Sequence, residues 1–217
     1  MLKTLIKNVQ MQTLKAVGAL SPKDIKVMEI GKLRENEEKI RDDFLKLGFY
    51  GTESVRGFGH SAKWLGIKTI KPPADAWLIQ ELIIESDADY FIETGTAFGG
   101  SAFYVASIFE LLGKGEVITI DLPNHESPLY PGKAMKLQEV PESLSRIKDR
   151  ITYLEGSSTS EAIFEEVKEK VKGKKVLVCL DSDHREKHVY NELQLYSQFV
   201  QKDGYLIVED TIKWTPR

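Results

Sequence analysis

The sequence predicts an α/β fold, a doubly wound, mainly parallel sheet with helices on both faces. Three observations predict it. Short β-branched runs alternate with helical segments along the chain from residue 74 onward. The runs are apolar without interruption, as in strands covered on both faces. Each run ends in an acid or a glycine, the residue types that open α/β sheets present at the carboxyl ends of their strands, where ligands bind. Alternation of this kind builds βαβ units with right-handed crossovers, a Rossmann-like architecture.

The elements follow in chain order. Met1 to Leu20 mixes lysines with apolar residues at helical spacing, and Glu35 to Leu45 alternates acids and bases like a solvated helix face. Residues 1–62 therefore read as an N-terminal helical extension and loop, and 63–217 as the domain proper. Gly51 to Pro73 is irregular, rich in glycine and proline with Phe58 and Trp64 between them, a loop expected to cover a site. Ala76 to Ile84 is apolar at helical spacing. Tyr90-Phe91-Ile92 is a first strand ending at Glu93, and Ser101 to Leu112 is a helix stopped by Gly113 and Gly115. Val117 to Ile120 ends in Asp121, and Ile151 to Leu154 ends at Glu155-Gly156. A helix is expected over Glu161 to Val171, a strand over Val176 to Leu180 ending in Asp181, and a helix over His188 to Val200. Tyr205 to Val208 is the last strand, ending in Glu209-Asp210.

Composition bounds the function. The chain has 217 residues, with 30 Lys+Arg against 33 Asp+Glu for a net charge of −3, which weighs against a dedicated nucleic-acid binder. Its one cysteine, Cys179, lies inside an apolar run and reads as a buried, inert thiol. No apolar stretch approaches the roughly 20 residues of a membrane span, so a soluble cytoplasmic protein is expected. The amphipathic N-terminal segment is expected to pack on the domain or on a second subunit, which favours a homo-oligomer.

The segment Glu93-Thr94-Gly95-Thr96-Ala97-Phe98-Gly99-Gly100-Ser101 joins the first strand to its helix. Gly95 permits a tight turn and close backbone approach to a ligand, and Ser101 is placed to help cap the helix. The spacing is not the G-x-G-x-x-G of dinucleotide sites. It is E-x-G-x-x-x-G, which resembles motif I of S-adenosylmethionine (SAM) methyltransferases. SAM has no pyrophosphate to cradle, and its ammonium suits an acid at the strand end. Asp121 ends the second strand, where an acid grips ribose hydroxyls. By analogy with this fold, Gly156-Ser157-Ser158 lines the adenine pocket. Thr96 in the loop and Asp181 beside it complete the expected cofactor contacts.

Asp181-Ser182-Asp183-His184 follows the fourth strand and Glu209-Asp210 the fifth. In a doubly wound sheet these ends are neighbours, so their carboxylates converge. Uncompensated, that is repulsive; a bound Mg²⁺ or similar hard cation relieves it. Asp181, Asp183, Glu209 and Asp210 are the candidate metal ligands. A metal there can chelate an acceptor hydroxyl and lower its pKa, the activation an O-methyl transfer needs. Asp181 and His184 are the catalytic candidates. His184 is placed to serve as general base, and a helix-capping or supporting role fits it equally. His184 and His188 do not form H-E-x-x-H, which argues against a zinc protease. His60 and His125 fall in loops with no ligand partner visible in the sequence.

Taken together, Trp64-Leu65-Gly66, Pro72-Pro73-Ala74-Asp75-Ala76-Trp77, Gln80-Glu81, Glu93-Thr94-Gly95 with Gly99-Gly100-Ser101, Asp181-Ser182-Asp183-His184 and Val208-Glu209-Asp210-Thr211 make the chain resemble the cephalosporin hydroxylase / rhamnosyl O-methyltransferase family from about Lys63 to Thr211. The resemblance implies a SAM-dependent methyltransferase with a Mg²⁺ site, acting on a small molecule or a saccharide hydroxyl. It implies cofactor contacts at Glu93, Gly95, Gly99, Gly100, Ser101 and Asp121, and metal ligation by Glu209, Asp210 and one of Asp181 and Asp183, with Asp181 favoured because it ends the strand. Methyltransferases of this fold usually continue through two further strands, and family members carry a Gly/Pro-rich segment after the Glu-Asp pair. The chain stops at Arg217, so a fragment, or a sheet completed by another subunit, is expected. The acceptor pocket is expected from Gly51 to Pro73 and from Pro123 to Val140, which holds Tyr130, Pro131 and Gly132.

Three competing readings follow from the same residues. Asp181-Ser182-Asp183 is a D-x-D, as in metal-dependent glycosyltransferases, although that leaves Glu93-Thr94-Gly95 unexplained. A non-haem iron oxygenase wants two histidines and a carboxylate, and only His184-x-Glu186 begins that pattern. A SAM-binding module without turnover is the third.

Overall fold

A computed structural model of the chain describes residues 62–123 and 140–210, with Lys39, Ile40, Asp43, Lys46 and Glu126. Those four early residues are helical and exposed, as a solvated helix face requires. The rest of the expected N-terminal extension, with His60, His125, Thr211 and most of the 123–140 segment, lies outside the described residues.

Five strands form one parallel sheet: β3 (Tyr90–Thr94), β4 (Glu116–Asp121), β5 (Ile151–Glu155), β6 (Val176–Leu180) and β7 (Leu206–Val208), in the order β5-β4-β3-β6-β7. The order reverses at β3, whose neighbours are β4 and β6, and crevices for ligands open at such a switch point. Successive side chains on each strand face opposite sides, so every strand feeds two cores. On one side Phe91, Val117, Leu177 and Cys179 pack under α1 (Pro73–Ser86) and α2 (Gly100–Leu112), through Ile79, Ile83, Phe103, Val105 and Phe109. On the other, Ile92, Ile118, Ile120, Val176, Val178 and Leu180 meet Val167 of α4 (Glu161–Lys170) and Tyr196 of α5 (Glu186–Tyr196). A short α3 (Ser145–Lys148) precedes β5. The uninterrupted apolar strands thus have the cause the sequence suggested. Cys179 is fully buried, and burial drives its thiol well above the ordinary range, which leaves it inert.

Two elements differ from expectation. The last helix begins at Glu186, earlier than His188, and gives way to a 3₁₀ turn over Ser197–Phe199. Part of the supposed loop before Pro73 is a hairpin of β1 (Lys63–Trp64) and β2 (Ile67–Lys68), closed by Leu65 and Gly66, both at positive φ (49° and 89°). Two left-handed residues in sequence are what a tight hairpin with native twist needs. Strands this short carry no alternation to read. The hairpin sits on α2: Trp64 Nε1 donates to Ser107 Oγ at 3.0 Å and its ring meets Tyr104 edge-on. Gly100 makes the seat possible, since a Cβ there would lie 2.4 Å from the Lys68 carbonyl oxygen and from the Thr69 Cβ. No helix among the described residues is long and apolar enough to cross a membrane.

Candidate functional site at the carboxyl edge of the sheet

The strand ends stand in one row, fixed by backbone bonds across it. Gly156 N donates to the Asp121 carbonyl (2.8 Å), Gly95 N to Ile120 (2.8 Å), Asp181 N to Thr94 (3.0 Å) and Glu209 N to Leu180 (3.0 Å). Nearly all the residues singled out from sequence therefore lie along this edge.

At its centre, the loop after β3 turns through Gly95 (φ 90°), Ala97 (φ 45°) and Gly99 (φ 81°) into α2. A Cβ on Gly95 would lie 2.2 Å from the Asp181 carbonyl oxygen, so this glycine is required by contact with the β6 end within the chain itself. Asp121 grips the loop: Oδ2 accepts from Ala97 N and Oδ1 from Leu122 N, both at 2.8 Å. Each carboxylate oxygen retains a lone pair beyond these bonds, and Asp121 is only half-buried, so acceptor capacity for ribose hydroxyls remains. The α2 N-terminus has no side-chain cap; Ser101 does not serve as one. Its first-turn amides are the kind of group that binds an anionic ligand, such as an amino-acid carboxylate.

Glu93 lies at the end of β3, the strand-end acid that the sequence singled out. It is fully buried. Thr119 Oγ1 donates to its Oε2 at 2.8 Å, and because that hydroxyl proton is spent, Thr96 must be the donor in the 2.6 Å pair with Thr119. Oε1 has no hydrogen-bond partner. Burial pushes the carboxyl up to about 7, against the opposing pull of Ser101, Lys71 and Thr119. A buried acid with an unpaired oxygen is suited to a cationic neighbour.

On the β5 side, Ser157 is taken up locally, its Oγ 3.0 Å from Thr159 Oγ1. Ser158 reaches further. It donates to Glu192 Oε1 at 2.5 Å, and Ser182 Oγ donates to the same oxygen at 2.7 Å, so the buried Glu192 clamps the loops after β5 and β6 together. His188 Nε2 lies 3.3 Å from both Ser158 Oγ and Glu192 Oε1. Glu192 Oε2 is buried without a partner.

On the β6–β7 side, three of the four candidate carboxylates draw together, and burial, then Glu209 and Asp210, raise the Asp181 carboxyl. Asp181, His184 and Asp210 present ligand atoms all within 4.8 Å of one another. His184 Nε2 stands 2.9 Å from Asp210 Oδ2, and this bond raises the imidazole pKa against the desolvation that lowers it. Asp210 has φ 52°, a left-handed position of the sort retained at functional sites. Asp183 stands apart. Arg185 holds it through paired guanidinium contacts that bring its carboxyl down to about 2, and His188 Nδ1 is 4.0 Å away. Glu209 turns to a residue the sequence reading missed: Lys71 Nζ donates to Glu209 Oε1 at 2.9 Å and to Asp181 Oδ2 at 2.7 Å. Asp75, in the first turn of α1, was missed too; burial, then Glu209, raises its pKa. Burial likewise raises Asp181, with Lys71 opposing.

These placements weigh on the competing readings. Asp181 and Asp183 engage different partners, Lys71 and Arg185, so no D-x-D pair is presented. The grouped donors are one imidazole and two carboxylates, not the facial triad of an iron oxygenase.

Residues 56–214 match the family model described as Rhamnosyl O-methyltransferase/CmcI. A rhamnosyl O-methyltransferase of Mycobacterium leprae is 32% identical over 156 residues, which is 70% of this chain and 61% of that protein. The Mycobacterium tuberculosis H37Rv rhamnosyl O-methyltransferase is 33% identical over 152 residues, 68% of this chain and 56% of that one. The chain thus spans less than two thirds of the length of these relatives. Among solved structures, CmcI with SAH aligns at a TM-score of 0.50 and 16% identity, covering 92% of this chain and 86% of that one. CmcI with Mg and SAM aligns at 0.51 and 16%, covering 89% and 72%. At this identity the likeness carries the fold.

Proposed function

The chain belongs to the rhamnosyl O-methyltransferase/CmcI family, and we propose that it transfers the methyl group of SAM to a sugar hydroxyl, with a divalent cation assisting. A rhamnosyl hydroxyl is the first acceptor to test, since the relatives bear that name. The observation that carries the reading is the single row of strand ends, which sets Asp121 and the Gly95–Gly99 loop beside Asp181, His184 and Asp210.

The residues present fit both groups. Asp121 has acceptor capacity for ribose hydroxyls, the uncapped start of α2 suits a carboxylate, and the unpaired Glu93 Oε1 suits a nearby positive charge. Asp181, His184 and Asp210 would hold the cation; an imidazole with two carboxylates suits Mn²⁺ as well as Mg²⁺. When bound, SAM supplies the electrophilic methyl and the cation lowers the pKa of a coordinated hydroxyl.

The chain's own residues do the rest. Asp210 orients the His184 ring; an imidazole that ligates the cation has no lone pair left for a proton, so His184 is fitted as a ligand and the proton of the acceptor hydroxyl passes to water. Glu192 fixes the loops after β5 and β6, which keeps cofactor and acceptor surfaces in register. The test is transfer of an isotope-labelled methyl from SAM to a rhamnosyl glycoside, with Mg²⁺ and with chelator. Labelled product that falls with chelator supports the reading. No product from any sugar acceptor tried, by protein that binds SAM, leaves a binding module.

A further inference from the structure

We propose that Lys71 is the resident counter-cation of the acid cluster and sets how tightly that cluster binds a divalent cation. The inference rests on the reading of Asp181, His184 and Asp210 as a cation site. The Lys71 side chain is buried, 7% exposed, a placement lysines take only when paired, and its ammonium touches Asp181 at 2.7 Å and Glu209 at 2.9 Å. Asp181 is therefore shared: one carboxylate serves both the ammonium and the grouping with His184 and Asp210.

The backbone gives Lys71 little room to leave. Thr69 N donates to the Ala62 carbonyl at 3.0 Å on the hairpin side, the hairpin is seated against Gly100, and Ala76 N donates to the Pro72 carbonyl at 3.0 Å where α1 begins. Lys71 N itself donates to Thr69 Oγ1 at 3.3 Å. A divalent ion reaching Asp181 must draw it from the ammonium, which then rests on Glu209 alone, and the two cations repel across a few ångströms of partly dry interior. Asp181 is thereby contested between the ammonium and the divalent ion.

The experiment titrates Mn²⁺ into the full chain, wild type against Lys71→Met and Lys71→Arg, following free Mn²⁺ by electron paramagnetic resonance. SAM binding to the same samples is measured by calorimetry. Lys71→Met is expected to bind Mn²⁺ about tenfold tighter or more, and Lys71→Arg, which keeps the charge, to stay near wild type. A merely structural role for Lys71 would weaken the site on removal, so tightening distinguishes the two. Equal or weaker Mn²⁺ binding by folded Lys71→Met overturns the proposal and leaves the cation site standing. No Mn²⁺ binding by any of the proteins, with SAM still bound, removes the cation site and this proposal with it. Should Lys71→Met not fold, nitrogen-labelled lysine resonances of the wild type decide the matter: Mg²⁺ is expected to shift the Lys71 ammonium signal, and an unmoved signal overturns the proposal.

Discussion

His184 Nε2 and Asp210 Oδ2 lie 2.9 Å apart, joining the end of β6 to the end of β7 through a pair that titrates. The hydrogen bond to Asp210 raises the His184 pKa, so the folded chain holds a proton more firmly than the unfolded chain. The stabilisation is complete below the unfolded value of about 6.5 and is lost as pH rises through the raised folded value. Both side chains are more than a third exposed, which limits the effect to about 1 kcal/mol or less. In chelator, imidazole resonances should show the His184 midpoint falling in Asp210→Asn; an unchanged midpoint would refute the pairing.

Glu93 carries a larger pH effect of the same sign. Its carboxyl is lifted from 4.5 to about 7 by burial. The folded chain therefore retains a proton that the unfolded chain has released across this window. Stability should fall between pH 4.5 and 7 by up to about 3 kcal/mol and level off above it. Glu93→Gln should flatten that slope in urea denaturation run across the window. A slope as steep as wild type would place the titration elsewhere.

Gly95 and Gly113 separate steric need from backbone preference. Both have positive φ, 90° and 68°, but a Cβ on Gly95 would collide with the Asp181 carbonyl while one on Gly113 meets nothing within 4 Å. Gly113→Ala should cost about 1 kcal/mol. Gly95→Ala should cost about 3 kcal/mol or more and weaken SAM binding, because the loop and the β6 end must part. Thermal denaturation of the two variants side by side tests the contrast.

Glu192 predicts coupling between loops. Glu192→Ala leaves Ser158 and Ser182 without their shared acceptor inside the fold and should cost about 2–4 kcal/mol. Glu192→Gln keeps an acceptor oxygen and should cost less. If SAM affinity drops in both while the secondary structure is retained, the clamp positions the cofactor loops; unchanged affinity in a folded Glu192→Ala would show that it does not.

The sheet was legible because each strand announces itself twice, by an unbroken apolar run such as Val176–Leu180 and by the acid that ends it. The adjacency of Asp181 and Glu209 followed from topology alone. What topology does not carry is the direction each side chain takes. Asp183 is captured by Arg185, two residues on, and Glu209 by Lys71, 138 residues away. Glu93 was recognised as a strand-end acid, but its full burial and its bond from Thr119 were not readable from spacing. The hairpin that delivers Lys71 was hidden because its strands, Lys63–Trp64 and Ile67–Lys68, are too short for periodicity, and its turn rests on a leucine at positive φ. Asp75 stood in a recognised segment, but nothing in its spacing tied it to Glu209.

On the proposed function, the carboxyl edge of this sheet holds SAM over the loop that Asp121 grips. The deciding experiment is a calorimetric titration of the full chain with SAM in the presence of Mg²⁺, beside Asp121→Ala. Wild type should bind saturably and one to one, and Asp121→Ala should lose about tenfold or more in affinity, the scale of losing charged hydrogen bonds. A folded wild type that gives no binding signal with SAM, or an Asp121→Ala variant that binds it equally well, would contradict the proposed function.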